Sequence, residues 1–173
     1  MKIKNKLLLL SASIFLFSNI APAKAGTHTL AIGGRTHAEH SEFVTLPFDK
    51  GDISYGLAYE YHNESAYWQF GANYANDVTG TNTVDSVITP HADLIFKDRM
   101  WQGGIGVLQS YIDDENEGSD WTDLYWQLIT GLQMPLFGLQ MDFQVYYVFE
   151  DWGDIDKFDL DDLEYGIWVK RSF

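Results

Sequence analysis

Apolar and polar residues take turns along nearly the whole chain after residue 26, and this period of two is what most restricts the fold. Leu163, Tyr165, Ile167, Val169 and Phe173 fall on one parity, with Glu164, Gly166, Trp168 and Lys170 on the other. Upstream, Leu139, Met141, Phe143, Val145, Tyr147 and Phe149 alternate with Gln140, Asp142, Gln144, Tyr146 and Val148. The same pattern sets Leu124, Trp126, Leu128, Leu132 and Met134 against Asp123, Tyr125, Gln127 and Gln133. It also sets Ile53, Tyr55, Leu57, Tyr59 and Tyr61 against Ser54, Gly56, Ala58 and Glu60. Successive side chains of a strand point to opposite faces, so each stretch predicts a strand between unlike surroundings. Eight are expected, near 27–36, 52–62, 65–76, 83–97, 100–112, 120–134, 138–150 and 160–173.

The links at 62–65, 97–99 and 135–138 are short, while those at 37–51, 77–82, 113–119 and 151–159 are longer and mostly polar. Short turns at one end and long loops at the other are the pattern of an outer-membrane barrel. The expected fold is all-β: an eight-stranded antiparallel up-and-down transmembrane β-barrel over 26–173, with both ends of that segment on the periplasmic, short-turn side. Hydrocarbon cannot satisfy backbone N–H and C=O groups, so only helices and closed barrels span it. The uncharged stretch 124–141 is long enough for a helix. It contains Gln127, Gln133, Gln140, two glycines and Pro135, and its alternation restarts after the proline, so it reads as two strands and a turn. Val44, Leu46 and Phe48 alternate as well, and Asp49-Lys50-Gly51-Asp52 has the composition of a hairpin turn; 42–48 either lengthens the second strand or adds pairing.

In a water-soluble, lipocalin-like barrel the apolar parity would point inward. Here the other parity is too rich in Gly, Gln, Asp, Glu and Ser for a dry core, and the apolar parity carries Trp and Tyr near strand ends, as an interfacial girdle does. Eight strands leave a bore that side chains fill. The inward set is expected to place Glu60, Asp85, Asp93, Asp123, Asp142 and Glu164 against Arg35, Lys170, His37 and His91. This predicts a plugged polar interior with buried ion pairs.

Ahead of the barrel, Lys2, Lys4 and Lys6 precede an apolar run from Leu7 to Ala21, then Ala23-Lys24-Ala25. A basic start, a run of about 15 apolar residues and a small-x-small site predict a secretory signal peptide, 1–25, cleaved on export. Its loss removes four lysines and no acid, so the formal charge falls from −14 to −18. That acidity excludes duplex nucleic acid as a partner, because such binding needs clustered Lys and Arg. The absence of cysteine excludes disulfide scaffolds and thiolate metal sites.

Three segments carry chemistry-bearing residues. Thr36-His37-Ala38-Glu39-His40-Ser41-Glu42 gathers two histidines, a serine and two acids. A His-x-x-His spacing converges on a helix but diverges on a strand, so a solvated loop is expected. Asp113-Asp114-Glu115-Asn116-Glu117-Gly118 begins like a calcium loop, but its twelfth position is Leu124 where a bidentate Glu is needed. With Glu150, Asp151, Asp154, Asp156 and Asp159 it predicts an acidic rim that shares loosely held divalent cations with lipopolysaccharide phosphates. His91 and Asp93 share the inward parity, and Pro90 beside them suggests an edge or a bulge, the latter able to re-aim His91. No catalytic, cofactor-binding or metal-ligand set is expected.

The architecture resembles the small eight-stranded outer-membrane barrels of the OmpA and OmpX type. A second resemblance runs from Ile88-Thr89-Pro90 to Gly103-Gly104-Ile105-Gly106-Val107, which is similar to part of the lipid A deacylase barrels. That likeness implies a His-x-Ser pair near the outer end of the penultimate strand and a Glu on the last. Glu164 is similarly placed, but Val145-Tyr146-Tyr147-Val148-Phe149-Glu150 holds neither His nor Ser. The expectation is therefore a non-enzymatic integral protein of the Gram-negative outer membrane with an envelope-structural or surface-interaction role. Its partners would be outer-membrane lipid and lipopolysaccharide, with periplasmic chaperones and the barrel-assembly machinery on the way. The alternatives are a lipid A-modifying, acyl hydrolase-like enzyme built from His37, His40 or Ser41, and a narrow small-solute channel.

Overall fold

The computed structural model describes residues 26–38, 46–76, 78, 84–114 and 118–173. The expected leader, and Glu39, His40, Ser41 and Glu42 of the first motif, lie outside the described residues. Ten strand segments are present: β1 (Thr27–Thr36), β2 (Ile53–His62), β3 (Ala66–Asn76), β4 (Val84–Asp98), β5 (Trp101–Leu108), β6 (Tyr111–Asp114), β7 (Gly118–Trp121), β8 (Tyr125–Leu136), β9 (Leu139–Phe149) and β10 (Leu163–Ser172). Two short 3-10 helices, Trp152–Lys157 and Leu160–Asp162, precede β10.

These segments close one antiparallel ring. Each strand from β1 to β5 pairs with the next; β5 then pairs with β8, β8 with β9, β9 with β10, and β10 with β1. The ring has eight strands because β5 with β6, and β7 with β8, continue one another. Pro90 accounts for the first interruption. Opposite β4 the register is unbroken, His91 facing Leu108 and Ile88 facing Tyr111. Proline lacks the N–H that residues 109–110 would need for regular pairing, and Gln109 N–H to Pro90 O, 3.2 Å, with the hydroxyls of Thr89 and Ser110 2.8 Å apart, bridges the gap. Pro90 therefore interrupts a partner strand without the bulge expected beside His91. The second interruption is a true irregularity. Tyr111 faces Trp121 and Leu108 faces Tyr125, so three steps on one side match four on the other.

Parity sorts the side chains as expected. Leu57, Tyr55 and Trp101 point outward and are 61%, 65% and 64% exposed, with Leu30, Phe70 and Ile167 among the other exposed apolar groups. Outward aromatics gather towards both ends: Tyr61 opposite Trp68, with Phe96 and Trp101, near the short turns, and Tyr55 opposite Tyr74, with Tyr165, near the loops. The inward set is polar and buried: Arg35, Ser54, Glu60, His62, Gln69, Asp93, Gln102, Gln127, Asp142, Gln144, Glu164 and Lys170. This is a water-soluble barrel turned inside out.

Two expected members of the inward set are not there. Asp85 is exposed because the register of β4 on β6 slips between Val84 and Ser86. Asp123 is exposed because it lies in the irregular link between β7 and β8. His62, on the parity of Glu60, is inside instead.

The tightest packing is at mid-barrel. Trp168 is buried against Ala31 and Ala58. A Cβ on Gly33 would sit 2.7 Å from its ring carbons, so glycine is what lets β1 approach the indole. At the short-turn end, Phe137 and Gly138 join β8 to β9 with φ of 51° and 81°. Two successive positive φ values suit the right-handed twist of a hairpin. At the other end, the turn expected at 49–52 forms, with Asp52 N–H on Asp49 O at 3.1 Å. It closes onto the barrel through His37 N–H to Asp52 O, 2.8 Å, and Gly51 N–H to His37 O, 2.9 Å. Residues 46–49 are not a strand, so the described part of 42–48 adds no pairing.

The last loop folds back on the outer wall. Trp152 packs on Trp126 and Phe149 with ring centroids 5.4 and 5.3 Å apart, and Phe158 meets Tyr147 edge-on at 4.9 Å. Tyr147 and Phe149, outward by parity, are thereby buried.

Candidate functional site

The lumen is the one place where polar and charged groups from every barrel strand converge, and they form two networks. At the short-turn end Lys170 Nζ binds Glu60 and lies 2.6 Å from Asp142 Oδ2. It also donates to Tyr67 Oη at 3.2 Å. Glu60 takes Gln69 Nε2 at 2.7 Å and faces His62 Nε2 at 2.7 Å, and Lys97 Nζ reaches the other nitrogen of His62 at 3.1 Å. One ammonium has three donors and no acceptor, so Lys170 is well matched to two carboxylates and a phenol. An ion removed from water needs such full pairing, because desolvation otherwise outweighs attraction.

At the loop end Arg35 Nε binds Glu164 Oε2, and Arg35 Nη1 donates to Gln127 Oε1 at 2.9 Å. Gln127 Nε2 passes a bond of 2.6 Å to Asp93 Oδ1, whose other oxygen faces His91 Nδ1 at 2.7 Å. The guanidinium lies over the Tyr146 ring, 4.0 Å from its centroid, a stacking that a planar cation favours. His37 sits between β1 and β2, with Nδ1 3.1 Å from Glu164 Oε1 and Nε2 2.8 Å from Ser54 Oγ. Phe48 stacks on its ring at 3.7 Å and 7°. Beside these groups lies a pocket lined by Arg35, His37, Glu164, Asn73, Thr89 and Ser110 with Leu46, Phe48, Leu108 and Val148. Its free volume of about 10 Å³ has room for no more than one water.

Tyr146 and Trp168 join the two networks. Trp168 Nε1 donates to Tyr146 Oη at 2.7 Å, Tyr146 donates to Gln144, and Gln144 Nε2 reaches Tyr67 Oη at 3.4 Å. Among the described residues three histidines are buried, and each faces a carboxylate: His37 Glu164, His62 Glu60, His91 Asp93.

Of the residues singled out by sequence, His37, His91, Asp93 and Glu164 are brought into the loop-end network. Glu164, the acid that the deacylase resemblance marked on the last strand, points into the lumen, where Arg35 and His37 take its two oxygens. Sequence reasoning missed Ser54, Gln127 and Phe48 as partners. The parity of Ser54 marked it as inward, but its partner His37 is 17 residues away in the chain.

No family model matches the chain, and no curated protein matches it. The crystal structure of Neisserial surface protein A (NspA) is similar with a TM-score of 0.52 at 11% identity, over 86% of this chain and 98% of that one. The structure of Ail, the attachment invasion locus protein of Yersinia pestis, is similar at a TM-score of 0.41 and 15% identity, over 86% and 97% of the two chains. The ring closure and the likeness to NspA together give the chain its place: it has the closed, antiparallel, eight-stranded fold of the small outer-membrane β-barrels.

Proposed function

We propose that this chain is an integral protein of the Gram-negative outer membrane, exported by its leader, that acts through its acidic loop end and not as a diffusion pore. The observation that supports this best is the pairing of an apolar outer wall with a lumen filled by bonded polar side chains. The outer wall suits acyl chains, and the aromatic groups near both ends suit the two interfaces. A lumen crossed by ion pairs offers no water column.

Asp113, Asp120, Asp123, Glu150, Asp151, Asp159 and Asp161 are exposed at the loop end. Such a rim beside lipopolysaccharide phosphates calls for divalent cations between like charges. Surface contact and envelope cohesion are the roles this arrangement supports.

Gel migration of the folded protein with and without boiling tests the architecture. A barrel migrates differently before and after heating; protein that stays monodisperse without detergent would end the membrane reading. Planar-bilayer recording tests the lumen, and steady single-channel openings would overturn the plugged state.

A further inference from the structure

His37, Ser54 and Glu164 stand in the relation by which a serine becomes a nucleophile. With Nδ1–H donating to Glu164, the imidazole is held in the tautomer whose Nε2 accepts from Ser54 Oγ–H. The distances are 3.1 and 2.8 Å. Arg35 holds the other oxygen of Glu164 and so fixes the carboxylate's orientation. Such constellations are recognised by geometry, not by order in the chain. The pocket next to His37 has an apolar part, Leu46, Phe48, Leu108 and Val148, and a polar part that includes Asn73. Asn73 is 4% exposed, and its Oδ1 has no hydrogen-bond partner. Carboxamide orientations are interchangeable; turned over, Asn73 brings an unbonded N–H donor to the lining of this pocket.

We propose that Ser54 and His37, positioned by Glu164, form a serine esterase site at the loop end of the lumen, taking a carboxylic ester whose short acyl chain occupies the place vacated by the Phe48 ring beside Leu46, Leu108 and Val148. Ser54 Oγ bonds to the ester carbonyl carbon as its proton passes to His37 Nε2. The carbonyl–alkoxy bond then breaks, and the alcohol leaves with that proton. Water repeats the sequence on the acyl-serine and releases the carboxylic acid. Ser54 is 1% exposed and the Phe48 ring covers His37, so the ester enters by displacing Phe48. This adds chemistry to a barrel read above as a passive surface, and its failure would leave that reading standing.

The test is labelling of the folded, detergent-solubilised protein with a fluorophosphonate probe, mapped by mass spectrometry, alongside p-nitrophenyl butyrate turnover. The adduct is expected on Ser54, slowly in the unaltered protein and about tenfold faster in Phe48→Ala, where entry is open. Ser54→Ala and His37→Ala lose labelling and turnover by about 100-fold or more, the usual weight of a nucleophile's base. Glu164→Gln slows labelling at unchanged heat-modifiable migration, and Glu164→Asp restores part of the rate, which a merely structural brace would not show. A folded barrel that carries no adduct on Ser54, either unaltered or as Phe48→Ala, overturns the proposal.

Discussion

The two ends of the lumen use the same residue types to opposite effect. At the short-turn end Lys170 serves Glu60, Asp142 and Tyr67 together, and His62, Gln69 and Lys97 close around them. The Lys170 ammonium is fully paired, although Gln69 Oε1 and Gln102 Nε2 beside it have no hydrogen-bond partner. At the loop end Arg35 serves one carboxylate and one amide, a histidine bridges to a serine, and Leu46 and Phe48 of the first loop line a small pocket. A filled barrel is therefore not a uniform plug. One end is an ionic lock around a single ammonium. The other keeps a polar dyad beside apolar space, the arrangement in which a reactive group retains its reactivity.

Stability measurements on single replacements can break or sharpen this contrast. The largest loss is expected for Lys170→Met, which leaves two buried carboxylates without their cation. Removing one partner of a buried pair costs about 3–5 kcal/mol, read as a lowered urea midpoint for the barrel in detergent micelles. Arg35→Met is expected to cost less, about 2–3 kcal/mol, because Glu164 keeps His37 and only one carboxylate is affected. Equal losses at the two sites would show that the ends are energetically alike. Trp168→Phe, at the junction, removes the indole N–H bond to Tyr146 and part of the ring that fills mid-barrel; about 1–2 kcal/mol is expected. An additive double replacement with Arg35→Met, within about 0.5 kcal/mol, would show the ends to be uncoupled there. The smallest effect belongs to Lys50→Ala. Its partner Asp161 is 3.1 Å away, but the two side chains are 64% and 84% exposed, so a change within about 0.5 kcal/mol is expected.

Much of the barrel was legible because alternation is a local property. Leu57 out and Glu60 in follow from counting along one strand, and the eight ring strands fall where the pattern places them. The failures lie where counting is interrupted. Asp85 sits at a slip in register and Asp123 in an irregular link, and each left the inward face because one residue's offset reverses a side chain. His62, where the expected strand 52–62 meets the short turn, is missing from the expected inward set although it continues the parity of Glu60 by one more step. Tyr147 and Phe149 were placed outward correctly, yet the last loop buries them, which no strand pattern announces.

The candidate site was less legible for a related reason. His37 attracted attention through its neighbours His40 and Ser41, whereas its actual partners, Ser54 and Glu164, come from two other strands. On a strand, adjacent residues point apart, so side chains that work together come either from every second position, as Glu60 with His62 and His91 with Asp93, or from different strands, as His37's partners do. Parity restricts the candidates to the inward half of each strand but says nothing about which level of the barrel each one occupies.

The amino-acid order by itself determined that the chain makes strands with one greasy and one wet face, how many there are, and which residues take each face, because steric alternation along an extended backbone is set residue by residue. Only the closed ring decided which inward groups meet: Lys170 with Glu60 and Asp142, Arg35 with Glu164, His37 with Ser54. Those meetings depend on the stagger between strands and on how the first loop folds into the mouth, and both follow from backbone pairing and packing summed around the whole barrel.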